Sequence, residues 1–344
     1  MLETQIFLNE SNLLYNYNYY QKLTNKNVIA IVKSNAYGHG LKEISKVLDQ
    51  NNVYMLGVTN INEAIYLRKN HIKSEILILE PILEKDLNNC LFYNLTISIT
   101  SLKQFFKLKN KSLYSKLKIH LKIDTGMHRL GLNFDEFKII LNELKNNNKF
   151  ILKGIYTHLV STEIVNNYII NQTKNFQRYI NEVKDLNIDI HMCTTSTLKY
   201  DLKDCNTIRI GLGLYGLDSI TKPVLEMNSY IINRIKINKN EYAGYHNSFK
   251  AKENGYIYTI PFGYSSGILI NNKIKLKIGN KKIKLVGQKC MNMSLLFSKN
   301  KYEEGQIVTI FDEKYSILDF SKQNKRSPYE VTSNLNPFIK RIVT

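Results

Sequence analysis

Hydrophobic and polar positions follow two different rhythms along the chain. From residue 11 to about 211, short β-branched runs alternate with segments whose apolar residues recur at helical spacing, Asn133–Asn147 and Ile170–Lys184 among them. The β-branched runs predict strands at Val28–Lys33, Tyr54–Thr59, Ile76–Leu79, Leu95–Thr100, Leu117–Asp124, Ile151–His158, Asp189–Thr194 and Thr207–Gly211. Repeated strand–helix units of this number predict an α/β fold, a parallel (β/α)8 TIM barrel. After about residue 228 short turns join the strands, with a hairpin signal at Gly279-Asn280 between Ile274–Ile278 and Lys281–Val286. Two helical segments follow, near Ile317–Gln323 and Tyr329–Leu335. The pattern predicts a barrel over residues 1–228 and a C-terminal, mainly β domain over 229–344.

Composition narrows the function classes. With 344 residues, 43% of them hydrophobic and 22% charged, the chain has the makeup of a globular protein with a large core. No run approaches the roughly 18 apolar residues of a membrane span, and Met1-Leu2-Glu3-Thr4 does not open a signal peptide. A cytoplasmic protein without membrane contact is therefore expected. Cys90, Cys193, Cys205 and Cys290 lack paired metal-ligand spacing, so reduced, mostly buried thiols and no metal are expected. The net charge of +19 invites a nucleic-acid reading. Its lysines, however, are interleaved with Asn and Ile, as at 146–149 and 272–277, and read as solvated faces. No nucleic-acid partner is expected, while a small anionic ligand remains compatible.

A barrel of this kind carries its chemistry at the C-terminal ends of its strands and favours phosphate after strands 7 and 8. That rule selects Lys33 after strand 1, Asp124 to Arg129 after strand 5, His158 after strand 6, Thr194-Thr195 after strand 7, and Arg209 with Gly211-Leu212 at strand 8. Desolvation at such a position lowers a lysine's pKa and makes it a good Schiff-base amine. Taken alone, Lys33 reads first as a partly exposed strand-end lysine, and His158 as a satisfied core histidine.

The segment Val28-Ile-Ala-Ile-Val-Lys33-Ser-Asn-Ala-Tyr37-Gly-His-Gly40 resembles the pyridoxal-phosphate lysine motif of alanine racemases. Further blocks resemble that family in its order: Lys122-Ile-Asp-Thr-Gly-Met-His-Arg129-Leu-Gly131, Gly154-Ile-Tyr-Thr-His158, Ile208-Arg209-Ile-Gly-Leu-Gly-Leu-Tyr-Gly216, Ile260-Pro-Phe-Gly-Tyr264-Ser-Ser-Gly267 and Val286-Gly-Gln-Lys-Cys-Met291. The resemblance implies a homodimer whose sites are completed by the partner's β domain, with pyridoxal 5'-phosphate as cofactor. It implies racemisation of L- and D-alanine that supplies D-alanine for peptidoglycan.

By the same resemblance, Lys33 holds the cofactor and shares two-base catalysis with Tyr264 of the other subunit. Arg209 faces the pyridine nitrogen with His158 behind it, and Tyr37, Thr195, Gly211 and Leu212 hold the phosphate. Arg129 and the Met291 backbone amide clamp the substrate carboxylate, and Lys122 matches a lysine that is carbamylated in many members. Departures are visible: Thr194-Thr195 stands where Asn-Ser is usual, Asn292 replaces an Asp, and Pro337 stands where some members carry a Tyr. They leave open a broader serine/alanine racemase.

Other readings have less support. Gly211-Leu-Gly-Leu-Tyr-Gly216 fits a dinucleotide fingerprint but follows the last barrel strand instead of opening an early βαβ unit. Asp124-Thr-Gly has no second copy to form an aspartic dyad. A related pyridoxal-phosphate decarboxylase could share the barrel and β domain, but the full set of racemase blocks and Tyr264 argue against it. A non-catalytic carrier would leave the β domain with Tyr264 and Met291 unexplained.

Overall fold

The protein is described by a computed structural model covering residues 3–160, 166–268 and 274–344. Two compact units divide the chain: Tyr17–Ser34 with Ile44–Leu214, and Met1–Asn16 with Asn35–Glu43 and Tyr215–Thr344.

The first unit is a closed parallel barrel. Its strands are Asn27–Ile31, Met55–Val58, Glu75–Ile78, Thr96–Ile99, Leu117–Lys122, Phe150–Tyr156, Asp189–Thr194 and Thr207–Ile210, numbered 1 to 8 here. Closure comes from strand 1 lying beside strand 8, with Asn27 opposite Thr207 and Ala30 opposite Ile210. Helices cover the outside, and several start on side-chain caps: Asn60 accepts from Asn62 and Glu63, Ser101 from Gln104, and Asn133 forms a capping box with Glu136. Ile29, Leu56, Leu77, Ile97, Ile119, Leu121 and Ile208 are fully buried. Strand 5 reads Leu-Lys-Ile-His-Leu-Lys, so Lys118, His120 and Lys122 share one face and the apolar residues the other. A polar stripe therefore runs up the barrel.

The second unit is a nine-stranded sheet in the order 233–237, 255–260, 294–298, 281–286, 275–278, 307–311, 225–230, 5–8, 340–343. The hairpin at Gly279-Asn280 and both late helices, Ile317–Asn324 and Pro328–Ser333, are present. Two features differ from the expected division. The border after residue 228 falls inside a strand, Leu225–Tyr230, which pairs with neighbours on both sides. Gln5–Leu8 also belongs to this sheet and not to the barrel, because Ile6 and Leu8 alternate inward and are almost fully buried.

Candidate active site

Strand 1 ends at Ile31, and Lys33 opens a turn instead of closing the strand. That turn is left-handed: Ser34, Asn35, Ala36 and Tyr37 have φ of 53°, 55°, 53° and 52°. Each L-residue outside the Gly and Asn class costs about 1–2 kcal/mol in that region, so the run needs outside support. The support is visible. Glu63 Oε1 accepts the Ser34 N–H at 2.6 Å, and its Oε2 accepts the Thr59 N–H at 2.8 Å. Asn35 Oδ1 accepts the Leu41 N–H at 2.8 Å, and His39 Nδ1 lies 3.1 Å from the Ala36 and Tyr37 carbonyls.

The loop after strand 5 carries Arg129. Asp124 Oδ1 accepts the N–H groups of Gly126 (3.0 Å) and His128 (2.9 Å), and Oδ2 lies 3.1 Å from His128 Nδ1. Burial pushes this carboxyl up, but the His128 and Gly126 bonds outweigh it and hold it below the usual carboxylate range. Asp124-Thr-Gly thus builds a turn, and Arg129 is left exposed on it.

Lysine electrostatics follow from this placement. Burial lowers the Lys33 amine; Arg129 and Arg209 lower it further, against the raising influence of Glu63 and Glu80. Lys122, buried on the inner face of strand 5, is pushed down to about 8 by burial first, then by Arg129, Arg209 and Lys33. Its ammonium sits over the Tyr156 ring at 5.8 Å. His158 falls to about 3 through burial and the same four cations.

Arg209 is buried to 3% exposure, with both of its terminal nitrogens bonded. Its Nη2 donates to the carbonyls of Thr157 (2.7 Å) and Met192 (3.0 Å), and its Nη1 to the carbonyl (3.2 Å) and Nδ1 (2.6 Å) of His191. The guanidinium lies 5.3 Å from the Tyr156 ring, which stacks on His191 with centroids 4.8 Å apart. The expected histidine partner, His158, is corrected here: the imidazole on Arg209 is His191. The reason is register, because Thr194 of strand 7 lies opposite Arg209, and His191 belongs to that strand.

After strands 7 and 8, the Thr195 hydroxyl accepts the Gly213 N–H at 3.2 Å, joining the two loops that the barrel rule reserves for phosphate. Gly211 leads into a short 3-10 turn, Leu212–Tyr215. That turn is not the long helix a dinucleotide fingerprint requires.

In the second unit, Tyr37 packs on Tyr215 at 5.3 Å, and burial pushes its phenol up to about 12. Tyr264 and Met291 lie in two turns zipped together. The Tyr264 N–H donates to the Cys290 carbonyl (3.2 Å), the Ser265 N–H to the Met291 carbonyl (2.9 Å), and the Ser265 hydroxyl to Asn292 Oδ1 (2.6 Å). The approach needs glycine at 263, since a Cβ there would stand 2.2 Å from the Met291 carbonyl oxygen. Tyr264 is 48% and Met291 56% exposed. Pro337 offers only its carbonyl, which accepts from Arg341 at 2.9 Å.

The family model described as "Alanine racemase, N-terminal domain" matches residues 8–219, and "Alanine racemase, C-terminal domain" matches 224–343. This chain belongs to the alanine racemase family. The alanine racemase of Borreliella burgdorferi (strain ZS7) is 33% identical over 357 residues, covering 98% of this chain and 96% of that relative. Among solved structures, the alanine racemase of Clostridium difficile 630 superposes with a TM-score of 0.92 at 25% identity, covering 100% of this chain and 96% of that one. A histidine racemase from Leuconostoc mesenteroides subsp. sake NBRC 102480 shares the fold, with a TM-score of 0.90, 22% identity, and coverage of 100% and 98%.

The alanine racemase family is pyridoxal-phosphate dependent. The residues present fit that cofactor: an amine lowered by burial at Lys33, a donor-only guanidinium fixed at Arg209, and a hydroxyl beside a glycine-bearing turn at Thr195 and Gly211. Lys33, Lys122, Arg129 and Arg209 concentrate positive charge suited to a phosphate and a carboxylate.

Sequence reasoning missed three residues of this racemase barrel: His191, Tyr156 and Glu63. The alternation in strand 5 and in Asp189-Ile-His191 carried a signal, since polar residues at period two inside apolar strands mark an inward polar face.

Proposed function

We propose that this enzyme interconverts L- and D-alanine with pyridoxal phosphate, using Lys33 and the partner subunit's Tyr264 as bases on opposite faces of the substrate's Cα. The observation that carries the reading is the Lys33 amine on the barrel rim, lowered by burial and by Arg129 and Arg209, the direction that favours the free amine a base needs. When bound, the cofactor withdraws electrons from the substrate and acidifies the Cα hydrogen. Lys33 takes or returns a proton at one face, and Tyr264 does so at the other. Inversion follows from that division of labour.

The remaining residues hold and orient. Arg209 has only donors and disfavours protonation of the pyridine nitrogen, which limits side reactions that need a strong electron sink. Tyr37, the Thr195 hydroxyl and the N–H groups of Gly211 and Leu212 hold the phosphate, and His158 lies at the cofactor end of the barrel. Arg129 and the Met291 amide hold the substrate carboxylate, and a carbamylated Lys122 supports Arg129. The barrel is the cofactor-binding domain, and the β domain completes a neighbour's site in a homodimer. The exposure of Tyr264 and Met291 in one zipped turn supports their serving a second copy. The product D-alanine feeds peptidoglycan from the cytoplasm, a role tested by whether added D-alanine restores growth when the gene is removed.

The direct test incubates the protein with pyridoxal phosphate and L-alanine in heavy water. Loss of optical activity with deuterium at Cα is expected. Deuterium without inversion overturns the role of Tyr264. Turnover of serine or histidine exceeding that of alanine overturns the substrate assignment.

A further inference from the structure

The motif that carries Lys33 is a run of four left-handed residues, and such a run relaxes to ordinary backbone unless each end is held. Its far end is held from within the run's own neighbourhood. His39 donates its backbone N–H to the Ala36 carbonyl (3.0 Å) and sets its buried ring against the same turn, while the Gly40 N–H donates to the Asn35 carbonyl (2.9 Å). The Lys33 end is held differently. Among the described residues, the one side chain bonded to the Ser34 amide is Glu63, from the helix Ile61–Lys69 that follows strand 2.

The geometry of Glu63 is specific to this task. One carboxylate oxygen takes the Ser34 N–H at 2.6 Å and the other takes the Thr59 N–H at 2.8 Å. A single side chain thereby bridges the loops after strands 1 and 2. Strands 1 and 2 are themselves paired, with Ile31 opposite Gly57, and the Val32 N–H donates to the Gly57 carbonyl at 2.9 Å. Ladder pairing thus ends at Val32, and two residues later the Glu63 bond takes over. Lys33 lies between these two anchors, so the direction of its side chain is set by both.

We propose that Glu63 is a positioning residue for Lys33, clamping the Ser34 amide so that the left-handed turn and the lysine stem keep one geometry. The proposal deepens the reading of Lys33 as the reacting amine and rests on it. The same carboxylate acts electrostatically on that amine, in the direction that retains its proton, against Arg129 and Arg209. The clamp therefore has two separable effects. One acts on backbone order at Ser34; the other acts on the pH at which the Lys33 amine becomes free.

The experiment uses the full-length chain with Glu63→Gln, Glu63→Ala and the double variant Glu63→Gln/Ser34→Gly. A glutamine can accept one of the two N–H groups through its oxygen but cannot accept both, and glycine at 34 removes the cost of the positive φ. Amide exchange at Ser34 is expected to quicken at least tenfold in both Glu63 variants, with Ile29 and Ile31 unchanged. Acetylation of Lys33 in the cofactor-free chain is expected to shift to lower pH. The racemase kcat should fall about tenfold with KM within threefold, and the double variant should regain part of it.

Unchanged exchange at Ser34 in Glu63→Ala overturns the clamp, and an unmoved Lys33 acetylation profile overturns its separate action on the amine. The double variant answers a further question: loss of kcat without any recovery overturns the link to turn geometry and leaves Glu63 as a helix-start residue for Thr59. The exchange and acetylation readouts need no turnover. A chain that fails to racemise alanine therefore defeats the functional reading above without deciding the clamp.

Discussion

Arg209 donates to His191 Nδ1 at 2.6 Å, and that one bond sets the proton positions of a buried chain. An arginine has no acceptor, so His191 Nδ1 must accept and its proton must sit on Nε2. Nε2 then donates to His120 Nδ1 at 3.0 Å, which places the second histidine's proton on Nε2, 3.7 Å from Asp189 Oδ2. Asp189 in turn accepts from the Tyr54 hydroxyl (2.6 Å) and the Thr207 hydroxyl (2.9 Å). The polar stripe of the barrel is thus an ordered file of donors and acceptors from Arg209 to His120, whose Nε2 faces Asp189 without a hydrogen bond. Room for it comes from Gly154, where a Cβ would stand 2.6 Å from the His120 ring.

Breaking this file in the middle should be costly. His191→Leu removes an acceptor from Arg209 and a donor from His120, leaving buried groups unsatisfied at about 2–4 kcal/mol. His191→Gln, which can accept and donate, should recover part of that. Urea unfolding of both variants checks the order, and equal stability of wild type and His191→Leu would contradict it.

Stability should also fall on acidification well before the carboxylates titrate. Burial holds His39, His120 and His158 near 3 and His191 well below its usual value, so all are neutral in the fold. The unfolded chain binds protons at these positions below about pH 6.5 and the folded chain does not. The contribution is complete above 6.5 and declines as pH falls from there towards 3, by at most about 1.4 kcal/mol per pH unit for each histidine. Calorimetric unfolding between pH 7 and 5.5 should register uptake of several protons; a flat profile over that range would contradict the neutral histidines.

Lys33→Ala should lose both racemisation and the covalent cofactor absorption, while Tyr264→Phe should keep the absorption and lose racemisation. Mixing the two inactive variants should restore part of the activity, since in the proposed shared-site dimer a hybrid holds one intact pair of bases. No recovery, with subunit exchange confirmed independently, counts against a shared site.

Lys122 is buried among Arg129, Arg209 and Lys33, with Asp124 the carboxylate that acts on it, and its amine lies at about 8. A free amine in that range reacts with carbon dioxide, and the resulting carbamate would supply the missing negative charge beside Arg129. A mass measurement under native conditions should show one carbon dioxide per chain, absent in Lys122→Ala. A chain of unmodified mass with full activity would remove the carbamate from the mechanism.

Much of this was legible in the sequence, for physical reasons. Barrel strands are short apolar runs between helix-period segments, so their placement followed from pattern, and the rule for strand ends brought out Lys33, Arg129, His158, Thr195 and Arg209, while Lys122 came with the family blocks. Tyr37, Tyr264 and Met291 came only with the family blocks, because a tyrosine in a turn has no periodic signature. Other features were hidden. A left-handed run at Ser34–Tyr37 contradicts local preference everywhere except Asn35, and it is maintained by a tertiary bond to Glu63 together with bonds to its neighbours His39, Gly40 and Leu41. His191 displaced His158 beside Arg209 because inter-strand register decides such neighbours, and register is not written in either strand alone.

The strand Gln5–Leu8 lies between Leu225–Tyr230 and Lys340–Val343, pairing antiparallel with the first and parallel with the second. During synthesis on the ribosome, this strand emerges before the whole barrel and before both of its partners. It therefore spends translation as an open edge, with Ile6 and Leu8 unburied, while the barrel strands can already close on one another. The last of its neighbours, Lys340–Val343, emerges only when nearly all of this sequence has been made. Ordering of the β sheet thus waits for the late residues, and the nascent enzyme carries a sticky strand until then.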